Sequence, residues 1–392
     1  MKLLFITQNL GTLGGVQRVV NTVIDELLNN ENYDITVLMP QNKKDFNYFN
    51  INNKAKIVNL DLFYNDKKMI FRKVFQHINK KTGCFRTNIF NILNEHLFLS
   101  NREKKSIIDF INKQEFDIVI STGDTYSILL GIIAPHINSK TIGWQHSTFE
   151  SYFRRKGNTS YGLENIAKKS YKKLNEIFVL TNDDKIKFEN AFGISCFVLY
   201  NPLPKSIKKM SKLNNNTLIF VGRLNYNHKG LNHLVEIIKT VHKKSPNLKC
   251  VVVGDGPDRN VLENLIVKNG LTDILLLVGK SDNVYKYYEK SDILLQTSNW
   301  EGFGMNIIEA MSCGIPVVSF HNSGPDEIIR DGIDGYLIEK YNIEDFAEKV
   351  LFLENNSEIK KKFAKSCIDR AKDFDVKKII IILENKLKEI LK

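Results

Sequence analysis

Apolar, β-branched runs alternate with amphipathic segments along the first half of this chain, and the alternation starts again after residue 216. "KLLFIT" leads to a helix-periodic segment over residues 16–29 and then to "DITVLM"; "FDIVIS", "TIGWQHS", "EIFVLT" and "CFVLYNP" come later. Runs that are apolar on both faces suit the buried strands of a parallel sheet, and the amphipathic segments between them suit helices covering it. The second series reads "TLIFVGRL", a helix over residues 231–244, "KCVVVGDGP", a helix over 259–269, "ILLLVGK", "DILLQTS", a helix inside "EGFGMNIIEAMSCGIP", and "PVVSF". This pattern predicts an α/β protein of two Rossmann-like, doubly wound domains facing a central cleft, with ligands at the carboxyl ends of the strands.

A chain of 392 residues exceeds what one core usually supports, in line with two domains. "YNPLPKSIKKMSKLNNNT" combines two prolines, charge and an asparagine run, so the boundary is placed there. The expected division is 1–200, 201–375, and an amphipathic helix over 376–392 positioned to pack back across the junction. Residues 46–113 are rich in Asn, Lys and Phe and are expected to add helices to one face of the first domain.

Composition narrows the class. Hydrophobic residues at 43% and charged residues at 26% are ordinary globular values. No apolar run reaches membrane-spanning length, and the apolar stretch at the start is too short for a signal peptide, so a cytoplasmic location is expected. Five singly spaced cysteines (Cys84, Cys196, Cys250, Cys313, Cys367) read as reduced, mostly buried thiols. The net charge of +12 is uneven: residues 1–200 hold 27 Lys and Arg against 19 Asp and Glu, and 201–392 hold 29 against 25. Basic doublets (Lys43-Lys44, Lys67-Lys68, Lys80-Lys81, Lys172-Lys173) and Arg154-Arg155-Lys156 suit either an anionic membrane face or a solvated surface. Aromatic and basic residues do not interleave as nucleic-acid recognition requires, so no nucleic-acid partner is expected.

Three stretches carry chemistry. In "GTLGGVQRV", Gly14 and Gly15 clear space where backbone N–H groups at a helix start could meet a phosphate, or where a strand turns tightly into a helix. The glycine spacing does not match a dinucleotide fingerprint. In "FVGRLNYNHKG", Arg223 ends a strand and Lys229 follows a polar loop; two cations from one loop suit a diphosphate and the charge developing on a leaving nucleotide. In "EGFGMNIIE", Glu301 sits in the loop before a helix and Glu309 lies inside it. Carboxylates accept paired hydrogen bonds from vicinal hydroxyls, the problem posed by a ribose and by a hexose, while Gly302 and Gly304 open the approach to the helix start.

"EGFGMNIIEA" resembles the E-x7-E motif of the family 4 retaining glycosyltransferases, which have the GT-B fold. "LGGVQRV", "FVGRL", "VVVGDGP", "SDILLQTS" and "SGPDEII" stand in that family's order, and the second half carries the more specific part. The resemblance implies that Glu301 binds donor-sugar hydroxyls, Glu309 the ribose, and the amides of Gly302, Phe303, Gly304 and Met305 the sugar and phosphates. Arg223 and Lys229 then hold the diphosphate, and Gly14 and Gly15 close over it. His146, in "GWQHSTF", falls where the family has a histidine near sugar and acceptor, with Trp144 as packing; Pro325 and Glu327, in a loop after "PVVSF", are second-rank candidates. "DFD" at 373–375 mimics a metal motif but lies in a helical region, and no metal is expected. The implied activity is transfer of a hexose or N-acetylhexosamine, with retention, from a nucleoside diphosphate sugar. A UDP-sugar is favoured over GDP-mannose. The implied acceptor is a saccharide, lipid-linked and built at the inner membrane face for capsule, O-antigen or lipooligosaccharide. A nucleotide-sugar epimerase or phosphorylase of the same fold, and a noncatalytic module, are the competing readings.

Overall fold

A computed structural model describes residues 1–8, 10, 14–40, 52–60, 74, 77–79, 81–83, 95, 99–158, 160–204 and 209–392. Lys43, Lys44, Lys67, Lys68, Lys80, Cys84 and much of the 46–113 stretch lie outside the described residues. The chain divides into two units, Met1–Pro204 with Val376–Lys392, and Lys205–Asp375.

Among the described residues the first unit carries seven strands: β1 (Lys2–Ile6), β2 (Asp34–Leu38), β3 (Lys56–Val58), β4 (Ile118–Thr122), β5 (Lys140–Trp144), β6 (Glu176–Val179) and β7 (Phe197–Val198). They pair in parallel in the order 3-2-1-4-5-6-7, so the direction of winding reverses between β1 and β4. β3 pairs with β2 inside a stretch expected to add helices. Its three residues, Lys56, Ile57 and Val58, are too few to show a period. The expected helical content appears in Asn101–Gln114, which opens on a reciprocal capping box: Glu103 N–H donates to Ser100 Oγ and Ser100 N–H to Glu103 Oε2.

The second unit holds β8 (Thr217–Val221), β9 (Lys249–Val253), β10 (Leu275–Gly279), β11 (Ile293–Gln296), β12 (Val317–Phe320) and β13 (Gly335–Ile338), parallel in the order 10-9-8-11-12-13. The reversal here falls between β8 and β11, where Leu218 faces Ile293. Strand ends diverge at such a point, which is where open α/β sheets place their ligand sites. Both units therefore have the doubly wound architecture read from the alternating pattern.

The last helix, Val376–Leu391, belongs to the first unit and packs on Gly15–Leu28. Ile379, Leu383 and Leu387 recur on its buried face, and Lys386 reaches Glu176 at 2.8 Å. Leu387→Ala should therefore cost about 2–5 kcal/mol of stability, read from urea unfolding. A loss under about 0.5 kcal/mol would mean that this helix is not part of the first unit's core.

Candidate active site

The carboxyl ends of β8 and β11 carry the residues picked out in the second half of the sequence. After β8 the chain turns through exposed Arg223 into one helical turn, Tyr226–Lys229. That stretch had been expected as a polar loop. It is helical because the Asn225 side chain caps it, accepting from His228 N–H at 2.8 Å.

The turn is fastened to the segment after β11. Thr297 Oγ1 donates to the Lys229 carbonyl (2.9 Å), Asn299 N–H to the His228 carbonyl (3.0 Å), and Asn299 Nδ2 to the Asn227 carbonyl (2.6 Å). The Trp300 ring stacks on His228 with centroids 4.7 Å apart. Gly230 permits the close approach: its φ is +58°, and a Cβ there would stand 2.2 Å from the Thr297 carbonyl oxygen.

This fastening brings Lys229 to Glu301. Lys229 Nζ lies 2.5 Å from Glu301 Oε2, with the two side chains 11% and 14% exposed. Gln296 Nε2 (2.8 Å) and Ser298 Oγ (3.4 Å) donate to the same oxygen. Burial pushes the Glu301 carboxyl up, but the Lys229 ammonium, His228 and these hydrogen bonds outweigh it and hold the group below the usual glutamate range.

Gly304, at φ +98°, makes the left-handed turn from the loop into the helix Met305–Ser312. Gly302 and Met305 are half-buried beside it. The Phe303 ring is buried and meets Phe374 edge-on at 5.7 Å. Glu309 sits one turn into the helix, 1% exposed, with Tyr288 Oη donating to its Oε2 at 3.4 Å and to the Asn306 carbonyl at 3.2 Å. The two acids therefore stand in different settings, one in an ion pair and one beside a tyrosine.

The segment holding Pro325 and Glu327 is a helix, Ser323–Ile328, instead of the expected loop. Pro325 is buried and Glu327 half-buried, and Gly324 N–H reaches the Glu301 carbonyl at 3.3 Å. The "DFD" residues span the short turn Lys372–Phe374 and its end, and no described group of His, Cys, Asp and Glu is arranged to hold a metal ion. Sequence reading passed over Gln296, Ser298, Asn306 and Tyr288. The available signal was "LLQTS", a strand that ends in a polar residue which is wholly buried.

In the first unit, Gly14 caps the helix Gly15–Leu28 in extended conformation. His146 follows β5. Its N–H donates to Tyr152 Oη (3.0 Å), its ring tilts against buried Trp144 at 4.4 Å, and its two ring nitrogens are buried with no hydrogen-bond partner among the described residues. Burial pushes its pKa down to about 3, so the imidazole is neutral.

The family described as "Glycosyl transferases group 1" matches residues 204–373. An uncharacterized glycosyltransferase of Methanocaldococcus jannaschii is 30% identical over 327 residues, covering 70% of this chain and 80% of the relative. The amylovoran biosynthesis glycosyltransferase AmsD of Erwinia amylovora is 26% identical over 387 residues, 95% of each chain. The crystal structure of Anabaena HepE in complex with UDP superposes with a TM-score of 0.76 at 16% identity, over 99% of this chain and 100% of that one. Two doubly wound units in this arrangement of strands are the GT-B glycosyltransferase fold. The chain belongs to the group 1 glycosyltransferases.

The neutral imidazole has a stability consequence. The unfolded chain takes up a proton at His146 near pH 6.5, whereas the folded chain resists it down to about pH 3. This contribution is complete above pH 6.5 and is lost as pH falls toward 3. His146→Asn should flatten the fall in unfolding free energy across that window, measured by urea denaturation at several pH values. Parallel wild-type and variant curves would count against a buried neutral His146.

Proposed function

We propose that the protein is a family 4 retaining glycosyltransferase, its E-x7-E motif formed by Glu301 and Glu309. It transfers a hexose or N-acetylhexosamine from a nucleoside diphosphate sugar to a saccharide acceptor. The second unit takes the donor and the first unit the acceptor. The observation that carries this reading is the Lys229–Glu301 pair at the switch point, with exposed Arg223 on the same stretch after β8. Cation and carboxylate stand together where a diphosphate and the sugar attached to it would each need one of them.

Glu301 binds hydroxyls of the donor sugar and Glu309 the ribose, while the amides of residues 302–305 meet sugar and phosphate. Pro325 and Glu327 shape the donor pocket, and Gly14 and Gly15 clear the helix start of the first unit for a phosphate. The reaction is front-face: the departing diphosphate oxygen accepts the acceptor hydroxyl's proton, and Arg223 and Lys229 stabilise the charge left on it. A UDP-sugar is favoured, GDP-mannose second; the UDP complex of HepE fits that preference. The acceptor is a lipid-linked glycan of a cell-surface polysaccharide, which fits the AmsD likeness, and the basic first half suits an anionic membrane face. The two cations and the helix start neutralise the diphosphate without a metal.

Incubation with UDP- and GDP-sugars and a lipid-oligosaccharide extract, with released nucleotide measured, tests the reading. Arg223→Ala and Lys229→Ala should each lower turnover about 10²-fold or more, and activity should persist in EDTA. Less than a twofold effect in both variants would refute their roles.

A further inference from the structure

Glu301 is used asymmetrically. All three of its donors, Lys229 Nζ, Gln296 Nε2 and Ser298 Oγ, converge on Oε2, and Oε1 accepts no hydrogen bond from any described residue. The direction of the Gln296 amide follows from what lies behind it. Asn306 Nδ2 donates to the main-chain carbonyl of Val221, the last residue of β8, at 3.0 Å. A carbonyl can only accept, so this end of the Asn306 amide is its nitrogen. The same nitrogen donates to Gln296 Oε1 at 3.0 Å, which leaves Gln296 Nε2 as the end that reaches Glu301. Gln296 is the last residue of β11, wholly buried, so its amide has no solvent to turn toward.

We propose that Gln296 and Asn306 are positioning residues, which use a β8 carbonyl as their reference to hold Glu301 with Oε2 turned inward and Oε1 presented to the donor's sugar. This rests on the reading of Glu301 as the sugar-binding acid. Lys229 alone does not do this work, because a mobile ammonium has no preferred face and is also the group drawn to a diphosphate. The amide pair keeps the carboxylate oriented when Lys229 turns to phosphate.

Gln296→Leu is close in size but offers no donor to Glu301, and Asn306→Leu removes the nitrogen that bonds both Val221 and Gln296. Gln296→Met removes the donor without adding charge, and thermal unfolding of each variant verifies that it folds. Calorimetric titration of the full chain with UDP, UDP-glucose, UDP-N-acetylglucosamine, GDP and GDP-mannose gives, for each sugar, the ratio of its Kd to that of its bare nucleotide. In the folded variants the Kd of the bare nucleotide should stay within about twofold of wild type, while the ratio moves against the sugar by about tenfold or more. A purely structural role would weaken both ligands together. An unchanged ratio in folded Gln296→Met and Gln296→Leu overturns the inference and leaves the donor reading standing. If wild type binds none of the five probes, the donor reading falls and the inference with it.

Discussion

The ion pair between Lys229 and Glu301 is the contact on which the arrangement of the second unit's site depends. Withdrawing two charges from water costs several kcal/mol for each ion, and their attraction offsets this only when the remaining hydrogen-bonding capacity is also met. Here Gln296 and Ser298 join Lys229 on one carboxylate oxygen. Lys229 comes from the turn after β8 and Glu301 from the loop after β11, so the pair exists only while those two loops are fastened. The carbonyls of residues 227–229, the side chains of Thr297 and Asn299 and the His228–Trp300 stack supply that fastening. Removal of either charge would leave its partner buried and uncompensated, which is why local backbone bonds and the charged contact stand or fall together.

Behind the pair, apolar and polar supports meet at the same loop. Phe303 anchors it on Phe374, and Phe374 is itself covered by the Arg370 guanidinium at 5.0 Å. Arg370 also donates to the carbonyls of Glu327 (2.7 Å) and Ile328 (2.9 Å), at the carboxyl end of Ser323–Ile328, where a cation is favourably placed against the helix dipole. The turn that resembled a metal motif is thus a structural clasp. Its aromatic residue reaches the loop of Glu301, and its Asp373 accepts from Arg370 at 2.8 Å.

At the carboxyl ends of β4 and β5 in the first unit, buried polar groups bond one another. Tyr171 Oη donates to Gln145 Oε1 at 3.2 Å, Gln145 Nε2 to Ser127 Oγ at 2.9 Å, and Ser160 to Asp124. Asp184, pushed up to about 6 by burial, accepts the Phe149 N–H at 2.9 Å and so fixes the start of the π-helical turn Glu150–Arg154. Phe149, Phe153, Phe188 and Phe192 pack around that turn, with Phe149 and Phe188 at 5.1 Å. His146 is therefore carried between a rigid strand and a turn held from two sides.

The periodicity of apolar runs was sufficient for the two doubly wound units, because a strand buried on both faces must be apolar throughout and a covering helix must be amphipathic. Glu301 in a loop and Glu309 in the following helix were legible for a similarly local reason, since Gly304 marks the turn between them. The short strand β3, the helical turn ending at Lys229 and the helix Ser323–Ile328 were not, because each is too brief for a period to show. Nor could the sequence disclose that Lys229 meets Glu301, that all its neighbours share one carboxylate oxygen, or that Gln296 and Asn306 form a chain back to β8. The amino-acid order by itself determined which segments are strands and helices and which loops carry charge, because those follow from neighbours within a few residues. Only the tertiary structure decided which charges face each other, because Lys229 and Glu301 stand 72 positions apart and meet only where the winding of the sheet reverses.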